Sequence, residues 1–225
     1  MGTTQSGLSR ATKPSGGAAK TSMSQTDNGS SSDASTPLQQ CLFGGAVNKI
    51  NLLRDKHGAQ HVHLDASLMR TAQADAEQSA RMSCKFPAGG KPEIGGVFQL
   101  THTPNAGSGV GQNLYAAGGT GVDAATVTAM VENAINLWYA EGTKPYDYDY
   151  TKDPDRTCSQ SSPGKTCFAD RGHFTALIWD ELQSVGFGIA RVDCGEVPWY
   201  IVVLDFFPPG NAFPNFVSHV HPPVA

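Results

Sequence analysis

Apolar residues recur three or four positions apart in four stretches of the chain, the spacing that places side chains on one face of a helix. Asp65 and Asp123 each precede such a stretch and are suited to cap a helix N-terminus, while Gly58 and Gly142 mark ends. The pattern predicts four helices, covering 46–57, 65–82, 123–141 and a segment marked by Phe174, Leu177, Ile178, Trp179 and Leu182.

Two β-rich runs, 186–192 and 199–204, follow the fourth predicted helix and are separated by turn residues. We expect these runs to pair. The segment between Cys84 and Gly111 is rich in glycine and proline, which predicts loop. Helices on both sides of a small, mostly antiparallel sheet give an α+β fold, a three-layer α-β-α sandwich.

The first 40 residues differ from the rest of the chain. Residues 1–38 contain 15 Ser or Thr and no aromatic residue. A segment so poor in apolar side chains cannot offset its own ordering entropy, so we predict a disordered arm at 1–40 and a folded domain at 41–225. The arm has no apolar run of the kind that a secretory signal needs, so we expect the protein to be made in the cytosol without export by the ordinary secretory route.

Gly2 followed by Ser6 matches the pattern for N-myristoylation. A chance match in a Ser/Thr-rich segment is the alternative. Three basic residues, Arg10, Lys13 and Lys20, precede the first acid and would help a single acyl chain to hold a membrane surface.

The charge balance limits the classes of partner. Sixteen basic against 20 acidic residues give a net charge of −4, so a general attraction to nucleic acid is not expected. The five cysteines are an odd number, which leaves at least one thiol unpaired within the chain. Whether Cys158 and Cys167 are joined stays open.

Several motifs occur together in one order and resemble the CAP superfamily (cysteine-rich secretory proteins, antigen 5, pathogenesis-related 1, also called SCP/TAPS). Residues 172–179 resemble its first signature and 201–211 its second, and the resemblance extends from about residue 46 to 213. The chain is most similar to the intracellular Golgi-associated branch and to parasite venom-allergen-like proteins. The remaining matches are Asn51, Arg54, His57 and Gly58, and the turn Gly111, Gln112, Asn113 and Leu114.

The resemblance implies a central cleft with two histidines and two acids, which fall here on His102, Gln112, Glu141 and His173. Two imidazoles can bind zinc, weakly because a firm site has three or four protein ligands. Gln112 stands where the family has Glu, and an amide accepts no proton. A zinc-dependent hydrolase therefore ranks below a non-enzymatic function. For His173 alone, a structural histidine of the fourth helix is the alternative.

The resemblance also implies binding of a sterol or a fatty acid. We expect sterol at a loop after the third helix, at Tyr146, Tyr148 and Tyr150, and an acyl chain in a groove between the first and fourth helices. Part of that groove must stay accessible for this hypothesis to hold. The groove would be lined by Val47, Ile50, Leu53, Leu177, Ile178 and Leu182.

Three further expectations concern cell biology. A protein-interaction scaffold at a membrane surface is the alternative to lipid binding. Association of two copies in a homodimer stays open. The expected location is cytoplasmic and membrane-associated, with an extracellular location reached by a non-classical route as the alternative.

Overall fold

The computed structural model describes residues 2–6, 37–85, 97–119, 123–142, 148–156, 158 and 166–224. Its helices and strands, in chain order, are β1 (Gly2–Ser6), α1 (Pro37–Asp55), β2 (His63–Leu64), α2 (Ala66–Ser83), β3 (Cys84–Lys85), β4 (Val97–Phe98), β5 (Gly111–Gly118), α3 (Ala124–Ala140), α4 (Phe168–Ile178), β6 (Ser184–Cys194), β7 (Val197–Phe207) and α5 (Phe216–His219).

Five strands form one sheet in the order β1-β5-β7-β6-β2, and β3 pairs with β4 in a separate ribbon. In the large sheet β2 pairs parallel with β6, and the other pairs are antiparallel. Helix α2 packs on one face of the sheet, while α1, α3 and α4 contribute to the core on the other face. The α+β three-layer sandwich with a mostly antiparallel sheet is confirmed.

The position of β7 in the sheet, with both faces covered, explains why its sequence is almost continuously apolar. Ile201 and Val203 belong to the core under α2, whereas Val202 and Leu204 belong to the core on the other face. Successive side chains of a strand point to opposite faces, so both sets are buried when both faces are covered. Asp205, a charged residue in this run, is fully buried.

Two glycines of β6 allow α2 to approach the sheet closely. A Cβ added at Gly186 would lie 2.2 Å from the backbone carbon of Leu68, and one at Gly188 would lie 2.0 Å from the carbonyl oxygen of Ala72. No side chain fits at either position unless the helix moves. These glycines therefore set the distance between α2 and the sheet.

Element boundaries agree with the sequence analysis in α2 and α3 but not elsewhere. The side chain of Asp65 accepts a hydrogen bond from the backbone of Leu68, and that of Asp123 accepts one from Thr126, so both predicted caps are confirmed. The first helix begins at residue 37 rather than 46, and the fourth runs from 168 to 178. The paired runs β6 and β7 are confirmed as an antiparallel pair. Strand β5 was not predicted.

Two parts of the predicted disordered arm, residues 2–6 and 37–40, have regular structure. Residues 2–6 form β1 on the edge of the sheet, where Gly2 pairs with Ala117 and Ser6 with Asn113. Residues 37–40 belong to α1. An edge strand is joined to its neighbour by backbone hydrogen bonds, which need no apolar side chains, and composition therefore does not detect it.

Two disulfides join distant or looping parts of the chain. Cys84 at the end of α2 is bonded to Cys194 at the end of β6, and Cys158 is bonded to Cys167. Sequence spacing left the second pair open. The fifth cysteine is Cys41, in α1.

The end of α1 is tied to the end of α4 by a buried arginine. Arg54 is fully buried and donates hydrogen bonds to the carbonyl oxygens of Leu177 at 2.8 Å and Trp179 at 2.9 Å. Burial lowers the pKa of Arg54 to about 10. Arg54 satisfies carbonyl groups that the last turn of α4 leaves without helical partners, which holds that helix in place.

Candidate functional site

Glu141 follows directly after α3 and holds His173 of α4. One carboxylate oxygen lies 2.6 Å from His173 Nδ1, and the other accepts hydrogen bonds from the backbone N–H of His173 at 3.0 Å and of Phe174 at 3.3 Å. The side chain of His173 is 3% exposed and that of Glu141 is 17% exposed. The predicted carboxylate on the third helix therefore has a histidine partner.

The opposite ring nitrogen of His173 has no partner. Nε2 is buried and makes no hydrogen bond, while the ring stacks against Trp138 with centroids 6.0 Å apart. With Nδ1–H donated to Glu141, the neutral ring has its lone pair on Nε2. A histidine whose second nitrogen is held by a carboxylate is the usual arrangement of a metal ligand. The residues at this position fit zinc.

His102 belongs to a second pair. Its Nδ1 lies 2.9 Å from the side-chain oxygen of Gln112, the second residue of β5. The backbone N–H of Thr103 contacts the same oxygen at 3.4 Å. Thus each predicted histidine contacts one of the two predicted cleft residues.

Two buried acids behind Gln112 were missed by the sequence analysis. Asp75 of α2 is 1% exposed and Asp205 of β7 is fully buried. The amide nitrogen of Gln112 lies 3.2 Å from Asp75 Oδ2 and 3.1 Å from Asp205 Oδ1. The signal was present: Asp75 lies on the apolar face that carries Ala72 and Ala76, and Asp205 interrupts an apolar strand.

Burial and the neighbouring Asp75 raise the pKa of Asp205 from its ordinary 3.8 to about 8, with burial the larger cause. Two carboxylates cannot hydrogen-bond to each other unless one carries a proton. Asp205 Oδ2 is buried and makes no hydrogen bond, so a proton on this oxygen would offset the cost of its burial. The raised pKa favours the protonated form of Asp205 in the folded protein near neutral pH.

The two histidine pairs lie on neighbouring elements. Asn113, next to Gln112 in β5, donates a hydrogen bond to the carbonyl oxygen of His173 at 3.1 Å. In the described part of the chain, no group of three or more His, Cys, Asp or Glu side chains is arranged to hold a metal ion. Joint binding of zinc by His102 and His173 remains a prediction.

The expected sterol segment is largely packed into the molecule where it is described. Tyr148 is 5% exposed, and its buried hydroxyl makes no hydrogen bond. Burial raises the pKa of this tyrosine well above its ordinary value. Tyr150 is half-buried and contacts the ring of Tyr148, with centroids 4.8 Å apart. Tyr146 lies outside the described residues.

The expected acyl groove between α1 and α4 is not accessible. Five of the six side chains proposed to line it are buried in the core, and Leu53 is half-buried. The apolar faces of α1 and α4 pack against the sheet and the other helices and so form part of the core. The buried five are Val47, Ile50, Leu177, Ile178 and Leu182.

Three further histidines, His57, His219 and His221, have partners within the protein. His57 is buried, with Nδ1 2.6 Å from the carbonyl oxygen of His221 and Nε2 3.1 Å from the hydroxyl of Tyr139. Burial lowers the pKa of His57. His219 and His221 contact the two oxygens of Asp180 at 2.8 and 2.9 Å. These contacts fasten the C-terminal segment to the turn after α4.

Gly2, the expected lipidation residue, begins β1 and pairs with Ala117. None of the described helices combines the length and the apolar content needed to cross a bilayer.

Residues 47–206 match the family described as Cysteine-rich secretory protein family, CAP. The human protein Golgi-associated plant pathogenesis-related protein 1 is 29% identical over 176 residues, which is 77% of this chain and 88% of the human one. Pathogenesis-related leaf protein 4 of Solanum lycopersicum is 32% identical over 46% of this chain and 50% of its own.

Solved structures support the same fold. BmVAL-1 superposes with a TM-score of 0.54 at 17% identity, covering 81% of this chain and 82% of its own. NaASP2, solved with Zn²⁺, superposes with a TM-score of 0.52 at 20% identity, covering 88% of this chain and 90% of its own.

Proposed function

We propose that this chain, which belongs to the cysteine-rich secretory protein (CAP) family, is a non-enzymatic binding module that takes zinc at His102 and His173 and a sterol or fatty acid elsewhere on the domain. The observation that carries the zinc proposal is the buried Nε2 of His173, which has no partner, on a ring whose Nδ1 is held by Glu141. The similar fold of NaASP2, solved with Zn²⁺, is consistent with it.

Two features favour binding over catalysis. Glu141 already accepts hydrogen bonds from one ring nitrogen and two backbone N–H groups, so three of its about four lone-pair sites serve a structural role. Gln112 cannot accept a proton. A zinc-dependent hydrolase would need one of these two side chains, or a residue that the motifs do not indicate, to activate water.

Calorimetric titration with Zn²⁺ tests the metal proposal. His102→Ala with His173→Ala should remove the binding seen in the unmodified protein. His61→Ala with His63→Ala, which removes two exposed histidines, should leave that binding unchanged. Equal zinc affinity in both double variants would refute the site. The hydrolase alternative requires instead a zinc-dependent activity that falls sharply in Glu141→Gln.

For the lipid, the supporting observation is the aromatic cluster that the segment 148–150 forms with Phe174. Tyr148 and Tyr150 lie against Phe174, with ring centroids 5.8 and 6.4 Å away. Because Tyr148 is buried, a sterol would reach it only when this segment moves. The buried lining of the expected groove gives the acyl chain less support than the sterol.

Extraction and mass analysis of co-purified lipid test this part. Tyr146→Ala with Tyr150→Ala should lower retained sterol, and Phe207→Ala, at an exposed aromatic residue on the far end of β7, should not. Absence of any retained lipid would favour a protein-interaction scaffold at a membrane surface.

The similarity to a Golgi-associated protein supports the expected intracellular location, whereas the disulfides support the extracellular alternative. Cys84–Cys194 and Cys158–Cys167 are both formed, and such bonds persist in oxidising compartments. Membrane association through myristoylated Gly2 is a competing proposal. Intact-mass analysis of the protein from its natural source, with free thiols blocked, reports both: two disulfides without an acyl group support the extracellular location.

A further inference from the structure

Gln112 is 4% exposed and both ends of its amide are engaged. The nitrogen lies near three acceptors, Asp205 Oδ1 at 3.1 Å and, at 3.2 Å each, Asp75 Oδ2 and Thr103 Oγ1. The oxygen receives the Nδ1–H of His102 at 2.9 Å and the backbone N–H of Thr103 at 3.4 Å. The amide thus separates two carboxyl groups on one side from the imidazole on the other.

Rotation of this amide by half a turn would be costly. The side-chain oxygen would then face carboxyl oxygens of Asp75 and Asp205 at about the same 3.1 to 3.2 Å. Asp75 does not relieve this contact, because its other oxygen already accepts a hydrogen bond from Asn105 at 2.8 Å. Asp205 would relieve it only by moving a proton from Oδ2 to Oδ1, the oxygen that faces the amide. A buried acceptor that faces another acceptor loses its hydrogen bond and meets electrostatic repulsion.

The orientation of the amide determines the tautomer of His102. An amide oxygen only accepts hydrogen bonds, so the contact at 2.9 Å requires the hydrogen on His102 Nδ1. The neutral ring then has its lone pair on Nε2. That nitrogen is the one able to coordinate a cation.

We infer that Asp75 and Asp205 are positioning residues: they fix the orientation of the Gln112 amide and, through it, the Nδ1–H tautomer of His102, which makes Nε2 a ligand for a divalent cation. The last step rests on the proposed function, since it assumes that His102 is a metal ligand. The tautomer itself does not assume a metal, because it depends on hydrogen bonds within the protein.

Long-range ¹H–¹⁵N correlation spectra of the metal-free, full-length protein with labelled histidine test the tautomer directly. At mildly alkaline pH, where an ordinary imidazole is neutral, His102 should show a protonated Nδ1 and an unprotonated Nε2. The resonance is assigned by its loss in His102→Ala. A protonated Nε2 in the unmodified protein would overturn the inference, whatever the variants do.

Substitution of the acids then tests their role. In Asp75→Ala with Asp205→Ala, a measurable share of His102 should move to the Nε2–H tautomer, because the amide is free to rotate. Asp205→Asn keeps an acceptor for Gln112 and should preserve the original tautomer. The ring of His173 is bound by Glu141 and not by the substituted acids, so its signals report whether each variant is folded. If a folded double variant shows unchanged His102 signals, the acids are not positioning residues.

Titration of the same samples with Zn²⁺ separates the two proposals. Loss of zinc affinity in parallel with the tautomer change supports both. Failure of the unmodified protein to bind zinc, with the predicted tautomer present, refutes the metal site and leaves the positioning role of the acids intact.

Discussion

The two histidine pairs reach a similar arrangement by different means. His173 is bound directly by the Glu141 carboxylate, whereas His102 is bound by the neutral amide of Gln112, whose other end contacts buried acids. In both pairs Nδ1 faces an oxygen. At His173 the carboxylate of Glu141 contacts the imidazole directly. At His102 the Gln112 side chain lies between the imidazole and the acids Asp75 and Asp205.

This difference has a physical consequence for each pair. A carboxylate bound to imidazole stabilises both the neutral and the protonated ring, so Glu141 supports His173 in either state. The neutral amide of Gln112 carries no charge, so it stabilises only the orientation of the His102 ring. His102 should therefore gain less from its partner in electrostatic terms and depend more on geometry, and four substitutions test this contrast.

The largest effect is expected for Glu141→Ala. The substitution leaves two backbone N–H groups and His173 Nδ1 without their acceptor, and loss of a buried charged partner typically costs about 3–5 kcal/mol of unfolding free energy. Chemical denaturation measures the change. In Glu141→Gln one oxygen remains to accept hydrogen bonds, so its loss should be clearly smaller. Equal, small losses in both would show that the carboxylate does not organise this pair.

The second effect concerns pH and the acids behind Gln112. The folded-state pKa of Asp205, about 8, lies above its ordinary value of 3.8. The folded state therefore holds a proton that the unfolded state releases, and the associated stability is present below about pH 4 and lost as pH rises towards 8.

Asp205→Asn imitates the protonated acid and should remove this dependence. Near pH 8 the variant should exceed the unmodified protein in unfolding free energy by on the order of a few kcal/mol, with little difference near pH 4. Thermal unfolding over this pH range measures it. A constant difference at all pH values would contradict the raised pKa.

The sequence indicated the histidines but not the acids behind them. Motif order placed His102, Gln112, Glu141 and His173, and helical periodicity placed Glu141 on the apolar face of α3. Asp75 lies outside the motifs, and Asp205, although it lies within the second signature at 201–211, was not assigned to the cleft. The two acids lie close to Gln112 because of strand register, which pairs Gln112 of β5 with Asp205 of β7.

The same limit applies to the fold. Helices with a clear period and an acidic cap, α2 and α3, were predicted closely. Strand β5 was missed because its residues 111–118 include glycines and alanines of low strand propensity. It is held by pairing with β7 and by burial between two layers of helices. Such long-range contacts are not encoded in local pattern.

The third effect is expected for Gln112→Glu, which places a carboxylate beside two other buried acids. Without a donor for Asp75 and Asp205, and with an added charge, unfolding free energy at neutral pH should fall by about 1–3 kcal/mol. The loss should diminish at about pH 4.5, where carboxyl groups take up protons. Chemical denaturation at both pH values distinguishes charge from shape, because a defect of shape alone would be independent of pH.

The smallest effect is expected for His102→Ala. This side chain is half-buried, and its removal takes one neutral hydrogen bond from Gln112, so the unfolding free energy should fall by only about 0.5–1.5 kcal/mol. His173→Ala removes a buried ring that packs against Trp138 and leaves Glu141 without its imidazole, so its loss should be larger. Denaturation of the two variants side by side measures the contrast. If His102→Ala proved as destabilising as His173→Ala, His102 would be structural in the same sense, and the view that its amide-bound pair provides orientation rather than stability would be wrong.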